Sequence, residues 1–411
     1  MAIYLDHAAT TPLRPEALEA MLPYLTERFG NPSSPHAFGR AARAALDEAR
    51  ERLAARLNAE PRELVFTSGG TEANNLALKG AAWAGKARGN QIVTTAVEHH
   101  SVGHTLAYLE KFGFEIVTLG VDRYGRVDPD ELEARLGERT ILVSVMLANN
   151  EVGTIEPVAE IVRRVRSRRG ILVHVDAVAA APHLPIDVRV LDVDLLTLSA
   201  HKFEGPKGAG VCYVRRGVHI LPQQQGGSQE RYRRAGTEDV AAVVGMAVAY
   251  DLACAERETV GPRLRRAGER LARALAAEPG IERTGHPTDR LPGLVSVVVP
   301  GIDGAELVMA LDLAGIAVST GSACTTGSTE PSHVLTAMGY PADEARGALR
   351  ISLGRTTTEA EIERAALEIR AAIARFRSAE AAPAGSAGRE PVRLGRDEAD
   401  ARRLDPVREA P

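Results

Sequence analysis

ILVHVDAVAAA (171–181) and LLTLSAHKFEGPKGAG (195–210) decide the fold. Each opens with a short, nearly continuous apolar run. The first run ends at Asp176, and the second ends in Ser199-Ala200-His201-Lys202. Such runs read as strands covered on both faces, the habit of parallel sheets. Working outward, LVFTS (64–68), QIVTTA (91–96), FEIVTL (114–119), ILVSVML (141–147) and GVCYVRR (210–216) have the same character. Helical stretches such as 71–84 and 158–168 lie between several of them. The alternation predicts an α/β unit around a mostly parallel sheet. The runs at 195–200 and 210–216 follow each other closely, so one strand is expected to be antiparallel.

A helical stretch over 239–277 then leads away, with a break expected at Gly261-Pro262. Beyond it come VSVVVP (295–300), a helix near 304–314, IAVST (316–320), LRISLG (349–354) and a helix near 358–377. These form a smaller α+β unit, which the helix near 15–28 joins to the first. The expected division is a large domain over 15–258 and a small one made of 1–14 and 259–378. Residues 379–411 are rich in Ala, Pro, Gly and charge without apolar periodicity, and read as a disordered tail.

A length of 411 residues fits two domains, and 45% hydrophobic with 25% charged residues fits a soluble globular chain. The net charge of −4, with both signs mixed along the chain, gives no nucleic-acid or membrane surface. No apolar run is long enough to span a bilayer, and MAIYLDHAATTP is not a signal peptide, so the cytoplasm is the expected compartment. Three cysteines and no C-x-x-C pair exclude a disulfide framework and give no metal site.

Four stretches carry chemistry. Lys202 stands just past a strand end, where α/β sheets place ligands and a lysine can form a Schiff base with an aldehyde cofactor. For a lone lysine the competing reading is a surface loop. Asp176 ends an apolar strand, where an ionised carboxylate needs a cation. A protonated pyridine nitrogen would serve, as would an arginine, and a helix N-cap is the third option. FTSGGTEANNLAL (66–78) runs from a strand through a glycine turn into a helix, which suits an anion at the helix N-terminus. Gly70 and Thr71 are the expected phosphate contacts there, and Ser199, His201 and Thr237 are candidates to complete the cup. Cys324 lies in VSTGSACTTGSTEPSHVL (318–335), a Ser/Thr/Gly stretch, whereas Cys212 and Cys254 sit in apolar runs. It reads as an exposed, movable, reactive thiol, against a harmless surface cysteine.

These stretches together resemble the cysteine desulfurase family, within the aspartate-aminotransferase (type I) fold of pyridoxal 5'-phosphate (PLP) enzymes, also grouped as class-V aminotransferases. The likeness runs through YLDHAATTP (4–12), GNPSSPHAFGRAAR (30–43), TSGGTEANN (67–75), EHHS (98–101), NNEVGTIEP (149–157), HVDA (174–177), SAHKFEGPKG (199–208), GGSQERYRRAGT (226–237), GSACTTGSTEPSHVL (321–335) and LRISLGR (349–355). The long cysteine segment resembles the class used in iron–sulfur cluster assembly. The resemblance implies that Lys202 holds PLP and moves the substrate Cα proton, that Asp176 faces the pyridine nitrogen, and that His99 stacks on the ring and serves in proton transfer. It also implies that Asn150 contacts the ring's phenolic oxygen or the substrate. Gly70, Thr71, Ser199 and His201 would hold the phosphate together with Thr237 of a second subunit, so a homodimer is implied. Arg350 would clamp the carboxylate of L-cysteine, and Cys324 would take its sulfur as a persulfide, leaving L-alanine. The sulfur would then pass to an acceptor protein, such as an iron–sulfur scaffold or a tRNA-thiolation relay.

One position departs from the pattern. The family usually has glutamine three residues after the aspartate, and Ala179 stands there. A hydrogen bond to a charged group is worth about 1.5–3 kcal/mol, so turnover is the property this change touches. Two other readings stay open: a selenocysteine lyase or other PLP enzyme of the same fold, and a non-catalytic paralogue acting as a binding partner.

Overall fold

The computed structural model describes residues 2–321 and 330–381. In chain order it begins with β1 (Ile3–Tyr4), α1 (Pro15–Thr26), α2 (Ala37–Leu57), β2 (Leu64–Thr67), α3 (Gly70–Gly85), β3 (Gln91–Thr95), α4 (His100–Glu110) and β4 (Glu115–Leu119). It continues through α5 (Pro129–Arg135), β5 (Thr140–Met146), α6 (Val158–Arg166), β6 (Leu172–Asp176), β7 (Leu195–Ser199), β8 (Gly210–Val214), the short turn α7 (Gln229–Tyr232) and α8 (Val240–Ala276). The remainder is β9 (Glu282–Arg283), β10 (Leu294–Val298), α9 (Gly304–Leu313), β11 (Ile316–Ala317), α10 (His333–Ala337), α11 (Ala342–Arg346), β12 (Ala348–Ser352) and α12 (Glu359–Ala381).

The main sheet has seven strands in the order β2-β8-β7-β6-β5-β3-β4. All run in one direction except β8, which is antiparallel to both β7 and β2. Its strands are apolar without a break because each face is covered. Val65, Ile92, Leu142 and Leu195 pack with Leu76, Ala77 and Leu106 from α3 and α4. Their neighbours Phe66, Val93, Val143 and Leu196 point the other way, into a core with Leu46 and Leu53 of α2 and Met246 of α8. Two smaller sheets, β12-β10-β9 and β1-β11, surround a separate core built from Ile3, Leu5, Val295, Val297, Leu349 and Ile351 with α9, α12 and the second half of α8.

Helix α8 corrects one expectation. It runs unbroken through Gly261-Pro262 over 37 residues, about 55 Å at 1.5 Å per residue. Its buried positions fall in two groups, Val240 to Tyr250 and Leu264 to Leu275. Each group is seated in a different core, so the proline falls in a stretch with no fully buried residue and cannot unseat either end. Three other expectations need adjustment. The strand expected over 316–320 closes after Ala317, and Ser319 makes only an isolated bridge to Arg350. Helix α12 reaches Ala381, past both the end expected near 377 and the start of the expected tail at 379. The rest of that tail lies outside the described residues. Helix α2 covers residues that the sequence marks only as part of a family motif; His36 caps it by accepting from the Gly39 N–H at 3.2 Å. Among the described residues no helix is long and apolar enough to cross a membrane.

Two buried carboxyl groups hold loops in place. Glu230, Arg231 and Tyr232 all take left-handed backbone angles, with φ of 44°, 57° and 62°. Glu230 is fixed there by a two-pronged pair with Arg50, at 2.8 and 2.5 Å, and by the Phe66 N–H at 3.0 Å. Glu156 anchors the 148–156 loop: its backbone N–H bonds Leu147 O, and one side-chain oxygen accepts from the Val127 N–H at 3.0 Å. Its other oxygen is buried without a hydrogen-bond partner among the described residues.

Burial pushes the Glu156 carboxyl up from 4.5 to about 8. Folded, it keeps its proton at neutral pH; unfolded, it ionises. The unfolded chain therefore binds fewer protons between these values, and this group's effect lowers stability as pH rises through the window. In urea titrations Glu156→Gln should match the parent near pH 4.5 and gain progressively up to pH 8, by on the order of 3 kcal/mol.

Candidate active site

The parallel register sets the working edge. Met146 of β5 lies level with Asp176 of β6, and Asp176 lies level with Thr197 of β7. These C-terminal strand ends open on a cavity of about 360 Å³. Gly70, Thr71, His99, Asn150, Asp176, Ser199, His201, Lys202 and Arg350 all line it. Nine of the eleven residues singled out from the sequence thus converge on one space. Thr237 does not: it is exposed and lines no part of the cavity. Cys324 lies outside the described residues. The stretch that contains it is tethered beside the cavity at both ends. Gly321 lines the cavity and its carbonyl accepts from Arg350 at 3.0 Å. Ser332 donates to Glu151 at 2.6 Å.

The turn before α3 is built for close approach. Gly69 has φ 150° and ψ −177°, a backbone state that side chains rarely tolerate. At Gly70 a Cβ would lie 2.9 Å from Val178 and 3.3 Å from Ser199, so only glycine lets the helix start pack against the ends of β6 and β7. The N-terminal N–H groups of this 16-residue helix therefore open on the cavity, a favourable seat for a phosphate.

Asp176 is 5% exposed. Its oxygens accept from Asn74 Nδ2 at 2.7 Å and from the Val178 N–H at 3.0 Å. Both donors are neutral, and no ion pair with it is formed among the described residues. A buried anion in that state is matched by a cation entering the cavity. Asn74 is the residue that sequence reasoning missed. It donates to Asp176 and to Ser101 Oγ (2.9 Å), and accepts from Thr197 (2.6 Å), so its amide is fully used. The available signal was its place one helical turn beyond Gly70, on the side facing the strand ends.

His99 sits at the N-cap of α4, where its Nδ1 accepts from the Ser101 N–H at 3.1 Å. That bond leaves the ring proton on Nε2. Burial lowers the His99 pKa, with Lys202 adding to the effect and Asp176 opposing it. His201 is pushed down to about 4, by burial and then by Lys202 and Lys207. Both imidazoles are neutral at physiological pH, and Lys202 and Arg350 are the lysine and arginine side chains that line the cavity. Lys202 Nζ donates to the carbonyls of Ala8 (2.5 Å) and Ala9 (2.9 Å). Ala179 lines this cavity and a second, mainly apolar one of about 90 Å³ on the far side of Lys202.

A phosphate seat, a buried anion, a lysine and an imidazole around one space fit PLP, with Asp176 for the ring nitrogen and Lys202 for the aldehyde. The Aminotransferase class-V family matches residues 3–365. A cysteine desulfurase IscS of Methanosarcina thermophila is 50% identical over 363 residues, covering 88% of this chain and 90% of its own. The chain belongs to the cysteine desulfurase family of class-V aminotransferases. Another family member, the IscS of Dictyoglomus turgidum, is 48% identical over 361 residues, 88% of this chain and 91% of its own. Among solved structures a NifS-like protein superposes with a TM-score of 0.86 at 39% identity, covering 91% of this chain and all of its own. The type I PLP fold expected from the sequence is the fold observed, and this desulfurase is PLP-dependent.

Asn74→Ala removes a donor from Asp176 and from Ser101, and removes the acceptor of the Thr197 hydroxyl. Equilibrium dialysis of PLP should find retention weakened about tenfold, in line with one lost charge-assisted hydrogen bond.

Proposed function

We propose that this cysteine desulfurase moves the sulfur of free L-cysteine onto Cys324, and that the residues around the cavity divide the work as follows. Lys202 binds the cofactor and carries the Cα proton. Asp176, oriented by Asn74, pairs with the ring nitrogen. PLP supplies an electron sink for charge that develops at the substrate Cα. His99, with its proton on Nε2, would face the cofactor and hand protons to the departing groups. Asn150 reaches the ring oxygen or the substrate, and Arg350 receives the carboxylate. The Cβ–S bond of cysteine breaks, the sulfur ends as Cys324–S–SH, and the carbon skeleton leaves as L-alanine. The observation that carries this reading is the convergence of Lys202, Asp176, His99 and Arg350 on one cavity that Gly321 also lines.

On this reading residues 15–258 form the cofactor-binding domain, and 1–14 with 259–378 form the small domain that delivers the thiol. The chain works in the cytoplasm and passes sulfur to an acceptor protein, an iron–sulfur scaffold being the first choice. Cys324→Ala should keep PLP absorption yet yield no protein-bound sulfur, with alanine formation at background. Full alanine release by that variant would remove Cys324 from the reaction.

A homodimer completes the site. Thr237, exposed and outside the lining of its own cavity, would serve the cavity of a second subunit. Glu238 next to it lies 4.0 Å from Arg43 of α2. The start of α2 carries exposed Phe38, whose ring lies 5.7 Å from exposed Phe29, and Leu18, Leu22 and Leu25 on α1 are exposed as well. Apolar exposure of this extent favours association. In sedimentation experiments Phe38→Glu should shift the protein toward monomer and loosen PLP together with it. A monomeric parent with full activity would end the dimer reading.

A further inference from the structure

The N-terminal segment touches both Lys202 and Arg350 at the cavity. Ala8 and Ala9 accept from Lys202, and Asp6 accepts from Arg350, with Oδ1 to Nη2 at 2.9 Å. We propose that Asp6 is the positioning residue for Arg350, fixing the guanidinium so that it selects amino acids by their carboxylate.

Arg350 is 2% exposed and sits on the central strand position of β12. Asp6 is its ion-pair partner among the described residues. Nη1 donates to two carbonyls, Asn150 O at 2.9 Å and Gly321 O at 3.0 Å. Three of the five guanidinium N–H groups are thus engaged. One Nη2 proton is left over for a carboxylate in the cavity, while the enclosed Nε–H has no hydrogen-bond partner among the described residues. A charge-assisted hydrogen bond from that Nη2 proton is what the guanidinium offers a carboxylate. The two carbonyls bind one end of the guanidinium and do not fix its other end. Asp6 does, and it also supplies the counter-charge that a buried arginine requires.

The backbone around Asp6 is held to the strand that carries Arg350, so its carboxylate has little freedom. Asp6 forms a bridge with Ser352, two residues from Arg350. His7 N–H and Ala8 N–H both bond Ser352, at 3.3 and 2.8 Å. Tyr4 Oη donates to the Asp6 carbonyl at 3.0 Å. The anion therefore acts as a fixed stop for the guanidinium.

This inference rests on Arg350 being the carboxylate clamp, and the test separates the two ideas. Calorimetry on PLP-loaded protein compares L-alanine, which keeps the carboxylate, with L-alaninamide, which lacks its charge. The parent should prefer alanine. Asp6→Ala should lose about tenfold of that preference while alaninamide binding holds. With cysteine as substrate it should raise KM and leave kcat within about threefold. Asp6→Asn, which keeps shape and one acceptor oxygen, should lose less and covers the case of a poorly folding alanine variant. An unchanged preference in both variants, or equal weakening of both ligands, overturns the role of Asp6. An unchanged preference in Arg350→Ala overturns the clamp itself.

Discussion

The parallel pairing of β6 with β7 is the constraint on which the site depends. It sets Asp176 beside Thr197 and brings Ser199 and Lys202 out at the same end of the sheet. The backbone ladder thus brings an anion and an amine that are 26 residues apart in the chain to a single edge. Asn74 then spans the gap from α3, and its amide joins Thr197 to Asp176 and, through Ser101, to His99.

Much of this was legible in the sequence, because strands buried on both faces write themselves as unbroken apolar runs. The seven strands of the main sheet were located to within two residues, and the reversed β8 followed from its closeness to β7. Asp176 and Lys202 could be picked out because charge at the end of an apolar strand is costly unless it has a task. Asn74 left a weaker trace: a neutral amide inside a helix is unremarkable until its three partners are known. The unbroken helix at Pro262 was hidden for a different reason. Local propensity predicts a break, and burial of the two helix halves in separate cores overrides it.

Charge inside the molecule is handled in more than one way. Some buried ionised groups are matched, as Arg350 is by Asp6 and Arg50 by Glu230. Asp176 rests on neutral donors and Arg290 on backbone carbonyls. Others stay neutral, as with Glu156, the fully buried His174, pushed down to about 4, and Glu98, whose carboxyl burial raises well above its ordinary range. Glu98 precedes His99, and its carbonyl bonds His333 at 3.0 Å. The apolar cavity on the far side of Lys202 uses matching: its two rim pairs, Arg14–Glu256 and Arg355–Glu204, are internally balanced.

The Arg50–Glu230 pair has a consequence for how this chain can drift over generations. Both side chains are almost wholly enclosed, so replacing either alone abandons an uncompensated ion in the interior. The partner carries the left-handed backbone run at 230–232 and, seven residues on, Thr237. A tolerated exchange there requires two coordinated changes on segments 180 residues apart. Such a path is rarely open to single-step variation, so this corner of the molecule should behave as one inherited unit.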